Sequence, residues 1–235
     1  MSTVISKKEV PSNFNRVARW YDALQKMNRG YSEHLRLSAE RLQARPDSKL
    51  LDLCCGTGLS TEALRSVYPR ARIDGVDASE GMLEVARNRQ LEPPVDFVLA
   101  DVMELTPDQL QGPYDAILMA YGIRNMSDPD AALERLKPLL KPGGSVCFHE
   151  YSVADSKLSR AVWNVVASAV IIPLGQLTSP GTPIYRYLRR SVLEFDGVAR
   201  LEQRLRDAGF VDVHTEPTSG WAKGIVHSFL ARKPA

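Results

Sequence analysis

Between Leu50 and Gly58 the chain reads LLDLCCGTG, an apolar run that ends in a small-residue turn. A second apolar run closes on Asp77 in IDGVDASEGML. A buried strand feeding a glycine turn and then a helix, with a carboxylate ending the next strand, is how an open α/β sheet holds a nucleoside. The turn lets backbone N–H groups approach a ligand, and the distal carboxylate takes ribose hydroxyls.

The rhythm continues downstream. Residues 49–54, 71–77, 95–100, 114–121 and 145–151 read as strands, and 59–68, 80–89 and 129–140 as helices. Ser79 and Asp128 are the expected N-caps, and KPGG at 141–144 is an expected turn. Strands alternating with helices make the sheet mostly parallel, with right-handed connections. A helix over 197–208, with Gly209 at its C-cap, precedes strands 211–216 and 224–232, which form a hairpin. Upstream, Phe14, Val17, Trp20, Tyr21 and Leu24 recur at helical spacing, and a second helix over 31–44 stops before Pro46. The expected fold is α/β: a Rossmann-like, seven-stranded, mostly parallel sheet with a C-terminal antiparallel hairpin and helices on both faces. A helical N-terminal cap and an apolar helical insertion after strand five complete it. One domain, 1–235, is expected, with 1–12 a flexible arm, 13–45 the cap and 155–194 a lid over the substrate.

Composition removes other classes. A net charge of +2 without a dense basic run argues against a nucleic-acid binder. Cys54 and Cys55 are adjacent and Cys147 is remote, which fits neither a disulfide framework nor a zinc site and points to a reducing cytosol. Within the insertion, AVWNVVASAVIIPLGQL at 161–177 is strongly apolar. Pro173 should stop its helix after about a dozen residues, whereas a bilayer span needs roughly 20. A buried core helix, an apolar lid and a surface touching lipid are the open readings.

The glycine run matches only two positions of a dinucleotide fingerprint, because the third falls on Thr61. Asp52, Asp77 and Asp101 all stand at or near strand ends. Three carboxylates would repel a pyrophosphate, but they suit a ligand with an ammonium, a ribose diol and an adenine amine, such as S-adenosylmethionine. Here the chain resembles the class I S-adenosylmethionine-dependent methyltransferases, and within them the ubiquinone/menaquinone biosynthesis C-methyltransferase family. The motifs that carry the likeness are FNRVARWYD, LDLCCGTG, VDASEGML, YGIRNMSDPDAAL, LKPGGSVCFHEYS, YRYLRRSVLEF and GIVHSFLARK.

The resemblance implies cofactor contacts at Thr57, Asp77, Asp101 and Val102, with Asp52 and Gly56 to Gly58 as the superfamily turn. Cys54, Ala78, Met82 and Ala120 join them; Cys54 replaces a turn glycine, and Ala120 stands where relatives offer a hydroxyl. No metal is implied. The acceptor is expected to be a small aromatic, most simply a polyprenylated benzoquinol or naphthoquinol methylated on carbon. O- or N-methylation of a phenolic or amine-bearing metabolite, a nicotinamide oxidoreductase, and a binder that transfers no methyl remain as alternatives. Arg124 and Asn125 are the expected electrostatic and orienting groups, with Asp128 as Arg124's competing partner. His149 and His34 are candidate bases. Tyr21, His34, Tyr121 and Tyr185 are expected to line the acceptor pocket. A cytoplasmic enzyme with peripheral membrane contact, through Arg186, Arg189 and Arg190, and a homodimeric state are compatible with this reading.

Overall fold

The apolar runs assemble into one seven-stranded sheet in the order β3-β2-β1-β4-β5-β7-β6. The strands are β1 (Lys49–Leu53), β2 (Arg72–Asp77), β3 (Asp96–Leu99), β4 (Tyr114–Ala120), β5 (Leu140–Tyr151), β6 (Val211–Pro217) and β7 (Val226–Arg232). This computed structural model describes residues 5–28 and 30–235. Strands β1 to β5 pair in parallel, and β7 runs antiparallel between β5 and β6. The KPGG segment is not a free turn. It already belongs to β5, and the irregular register opposite Tyr114 and Ala116, with Gly143 at φ 73°, absorbs it as a bulge.

Helices cover both faces: α1 (Val10–Met27), α2 (Tyr31–Arg41), α3 (Leu59–Val67), α4 (Glu80–Arg87), α5 (Pro129–Leu136), α6 (Lys157–Val166), α7 (Ile172–Thr178), α8 (Ile184–Glu194) and α9 (Val198–Asp207). Side chains on a strand alternate between faces. Leu51, Leu53 and Phe148 therefore pack with Leu133 of α5 and Leu201 of α9. Leu50, Leu118 and Cys147 face Ala39 of α2 and Leu64 of α3. Phe148 lies opposite Phe229 in register, both fully buried, and burial of each contributes about 1.5–3 kcal/mol. Ser79 and Asp128 cap α4 and α5 through their side chains.

Chain order reverses between β1 and β4, which are direct neighbours (Leu53 opposite Met119). Ligands bind at such a switch point, beyond the carboxyl ends of the strands.

Two further expectations fail here. Residues 5–12 are not a loose arm: a 3₁₀ turn at Lys7–Glu9 leads into α1, which starts at Val10. Ile5 and Val10 are buried with Val17 against Ile184 and Tyr185, a contact between distant segments that local pattern cannot reveal. Residues 1–4 of that arm, and the Leu24 side chain, lie outside what the structure describes. Nor does Pro173 stop the apolar helix. A π-turn at Ala167–Ile171 precedes it, so α6 and α7 form one helix of 22 residues. Proline lacks an N–H and collides with the carbonyl four residues back; widening the preceding turn relieves both problems. The helix is long and apolar enough, by length and composition alone, to cross a membrane. It is not a buried core helix either. Trp163 and Ala167 pack inward, while Leu158 (74%), Val165 (63%) and Leu177 (78%) are exposed.

Candidate active site

A cavity of about 1060 Å³ opens beyond the switch point. Cys54, Gly56, Asp77, Met82 and Asp101 border its sheet end, and Tyr21, Tyr121, Arg124 and Asn125 its middle. Val166, Leu174, Ile184 and Tyr185, from the apolar helix and α8, form its outer wall. Ala78, Val102 and Ala120 also line it.

The turn is shaped by left-handed backbone at Cys54 (φ 58°), Gly56 (φ 56°) and Gly58 (φ 82°). A Cβ on Gly56 would have no protein atom within 4 Å, so the space above it is open to a ligand. Cys54 is tolerated in a conformation that favours glycine because Gly122 makes room beside it. A Cβ on Gly122 would sit 2.8 Å from the Cys54 sulfur. Asp77 accepts the Gly56 N–H at 2.8 Å and the Ser79 N–H at 2.9 Å. Burial pushes its carboxyl up to about 6, against those two donors. Asp101 is exposed at the rim and accepts the Met103 N–H at 2.8 Å.

Asp52 does not reach this rim. Strand alternation turns it toward α3, where it accepts hydrogen bonds from Ser60 Oγ at 2.7 Å and Thr61 Oγ1 at 2.6 Å. Burial raises it to about 7, and its Oδ1 has no partner among the described residues. Of the three aspartates expected at the rim, Asp77 and Asp101 therefore face the cavity and Asp52 does not. Thr61, where a dinucleotide fingerprint has glycine, instead ties α3 to β1.

Thr57 and Gly58 also turn away from the cavity. Thr57 Oγ1 donates to Asp22 Oδ1 at 2.6 Å, and Arg89 pairs with both Asp22 and Glu62 while donating to the Thr57 carbonyl. A Cβ on Gly58 would lie 3.1 Å from Arg89 Cδ. Asn15 accepts from Ser79 Oγ at 2.6 Å and from the Gly81 N–H at 2.8 Å. Helix α1 is thus fastened at two points, to the glycine turn through Asp22 and to the start of α4 through Asn15.

His34 is displaced as well. It lies on α2 against Gly30, 3.4 Å from Ser219 Oγ at the β6–β7 connection. His149 is fully buried on the α2 face of β5, with Nδ1 2.7 Å from Ser38 Oγ and Nε2 2.9 Å from Tyr121 Oη. Burial drives its pKa down to about 3, so it stays neutral and is a poor base. Arg124 pairs not with Asp128 but with buried Glu150, at 2.6 Å, and lies over the rings of Tyr121 and Tyr151 at 5.8 and 5.4 Å. Asn125 donates to the Tyr121 carbonyl at 3.0 Å and accepts from Tyr187 Oη at 3.1 Å.

The chain matches the ubiE/COQ5 methyltransferase family over residues 2–233. It belongs to that family. A demethylmenaquinone methyltransferase of Clavibacter sepedonicus is 34% identical over 226 residues, spanning 94% of this chain and 91% of that protein. One from Lactococcus lactis is 30% identical over 241 residues, spanning 99% and 94%. Among solved structures, the [4+2]-cyclase SpnF aligns over 99% of this chain and 98% of its own with a TM-score of 0.69 at 18% identity. An S-adenosylmethionine-dependent methyltransferase of Thermotoga maritima aligns over 95% and 99%, with a TM-score of 0.67 at 20% identity. The protein is an S-adenosylmethionine-dependent methyltransferase with the Rossmann-like fold, and the nicotinamide alternative falls.

The methyltransferase cavity contains groups that the sequence did not single out. Tyr31 stacks on Tyr121 (5.7 Å, 16°), and Tyr151 lies 4.9 Å from the same ring. The only local signals were the YD of FNRVARWYD, which holds Asp22, and the HEY of β5, which holds Glu150 and Tyr151. Neither shows a partner more than twenty residues away.

Proposed function

We propose that this enzyme methylates a ring carbon of a polyprenylated naphthoquinol, in the manner its demethylmenaquinone methyltransferase relatives are named for. Those names do not favour O- or N-methylation. The observation that carries the reading is the single cavity running from the Asp77–Asp101 rim to an apolar wall of α6, α7 and α8.

The rim fits the donor. Asp77 at the end of β2 suits the ribose diol and Asp101 the adenine amine, while Met82 and Val102 offer apolar contact to the base. The open space above Gly56 leaves room for the chain that bears the sulfonium. When bound, S-adenosylmethionine supplies an electrophilic methyl group. The chain's own task is to hold an aromatic acceptor in line, exclude water and stabilise charge. A quinol ring carbon becomes nucleophilic once a neighbouring phenol, with a pKa near 10, loses its proton. Arg124, held by Glu150 at the centre of the cavity, presents a fixed cation to that oxygen, and Asn125 orients a second oxygen or a water.

The prenyl tail follows the apolar wall outward. Leu158, Val165 and Leu177 on the outer side of the helix, beside Arg186, Arg189 and Arg190, support contact with an anionic cytoplasmic membrane surface from which the quinol is drawn. Each CH₂ buried there contributes about 0.8 kcal/mol. Mass spectrometry after incubation with S-adenosylmethionine and a panel of quinols and phenols tests the reading. Methyl on the ring carbon of a demethylated naphthoquinol supports it, and methyl found only on oxygen or nitrogen overturns it. For the membrane contact, flotation with anionic liposomes should fall in Leu158→Asp/Leu177→Asp; equal flotation overturns that part.

A further inference from the structure

A line of buried hydrogen bonds reaches the cavity from the far side of the sheet. Arg41, paired with Glu216 at 2.8 Å, donates from Nη1 to Ser228 Oγ at 2.8 Å. Ser228 and Ser38 are 2.7 Å apart, Ser38 and His149 Nδ1 2.7 Å, and His149 Nε2 and Tyr121 Oη 2.9 Å. Ser228 lies opposite His149 in the β5–β7 register, and Ser38 comes down from α2 between them.

The line has a direction. A guanidinium only donates, so Ser228 accepts from Arg41 and passes its own hydrogen to Ser38. Ser38 then donates to His149 Nδ1, which leaves the imidazole hydrogen on Nε2, pointing at the Tyr121 oxygen. Each hydroxyl in this arrangement donates once and accepts once. The reverse direction would leave the fully buried Ser228 hydroxyl only the Cys147 sulfur, a weak acceptor. Neutral imidazole is what the line requires. With His34, His227 and Arg41 nearby and no carboxylate partner, burial keeps His149 uncharged.

Tyr121 is thereby left with a hydrogen to give. Its hydroxyl meets His149 Nε2 at 2.9 Å, and the Tyr151 side chain beside it is the neighbour to which that hydrogen can turn until an acceptor oxygen takes its place. Its backbone is held in the left-handed region at φ 56°, a strained conformation for a bulky residue, and its N–H donates to the His149 carbonyl at 2.8 Å. Tyr31 and Tyr151 hold the ring on either side, and Arg124 stands over its face.

We propose that Tyr121 is a catalytic hydrogen-bond donor to the ionised ring oxygen of the acceptor, and that Arg41, Ser228, Ser38 and His149 form a one-way chain that holds it in that role. His149 is then a positioning residue, acting through Tyr121. The proposal deepens the quinol reading above and rests on it for the identity of the oxygen.

Nitrogen-15 NMR of the full chain labelled at histidine, with His149 assigned through bonds, tests the direction without any substrate. A neutral ring protonated on Nε2 at pH 7 is expected, and a hydrogen on Nδ1 or a charged ring overturns the proposal. In the quinol assay, Tyr121→Phe should lower kcat about 100- to 1000-fold with KM little changed, the scale of losing one oxyanion donor. His149→Leu should match it, and His149→Gln, which keeps an N–H near the Nε2 position, should recover most of the rate. Wild-type kcat in Tyr121→Phe overturns the proposal. If the wild type methylates no quinol at all, the quinol reading fails, and the NMR result still decides whether the chain runs as described.

Discussion

Replacing Glu150 with glutamine isolates the pair on which the centre of the cavity is built. Arg124 and Glu150 are almost wholly buried, with side-chain exposures of 4% and 0%. Glu150 accepts from Arg124 Nη1 at 2.6 Å and from the Tyr151 N–H at 2.8 Å, and its second oxygen faces the Arg124 N–H at 3.4 Å. Glutamine keeps one acceptor and puts an NH₂ where the other carboxylate oxygen met a donor, leaving the guanidinium uncompensated. Breaking a buried pair from one side costs about 3–5 kcal/mol. Arg124 borders the cavity, and water there relieves part of that cost, so the lower end applies. A domain of this size shifts its Tm by about 2–4 °C per kcal/mol, which gives a fall of about 6–12 °C from a loss of about 3 kcal/mol. Thermal unfolding followed by circular dichroism measures it. Arg124→Met/Glu150→Met removes both charges and should lose less stability than the sum of its single variants, since neither charge is left alone. A Glu150→Gln protein within 2 °C of wild type, or strict additivity in the cycle, would refute an energetically coupled pair.

Three further outcomes are expected. Asp77→Ala should weaken S-adenosylhomocysteine binding about 10- to 100-fold by calorimetry, the scale of one or two charge-assisted hydrogen bonds; unchanged affinity would remove Asp77 from the donor site. Gly175→Ala drives a Cβ into the Tyr185 ring. Overpacking of about 1–3 kcal/mol should outweigh the helix-propensity gain of at most about 1 kcal/mol, so Tm falls; a raised Tm would mean that α7 and α8 are loosely packed. His149 titrates near 3 when folded against 6.5 as its ordinary value. A depressed pKa contributes stability that is present above about 6.5 and lost as pH falls toward 3. Between pH 8 and pH 5 wild type should therefore lose about 2 kcal/mol more than His149→Gln by urea unfolding. Parallel curves would contradict a buried neutral imidazole.

Much of the fold was legible because each strand and helix carries its own period. The runs around LLDL, RIDGVD and AILM announce buried strands, and Ser79, Asp128 and Gly209 mark helix ends by chemistry that acts within a few residues. Part of the donor site was legible for the same reason: a strand's end is local, so Asp77 and Asp101 could be placed at the rim. Asp52 was misplaced because a residue's face depends on its parity along β1, and only the docking of α3 shows that this face is not the cavity. Pro173 was over-read because local chemistry gives its cost and not the π-turn that absorbs it.

The amino-acid sequence determined the order of elements, the crevice between β1 and β4, and the family to which the chain belongs, since each depends on short-range pattern. Only the tertiary structure decided which groups meet at that crevice and behind it. Ser38, Tyr121, His149 and Ser228 come from α2, the end of β4, β5 and β7, and Arg124 finds Glu150 rather than nearby Asp128. Those partnerships follow from strand register and helix docking between segments far apart in the chain, and no local spacing encodes them.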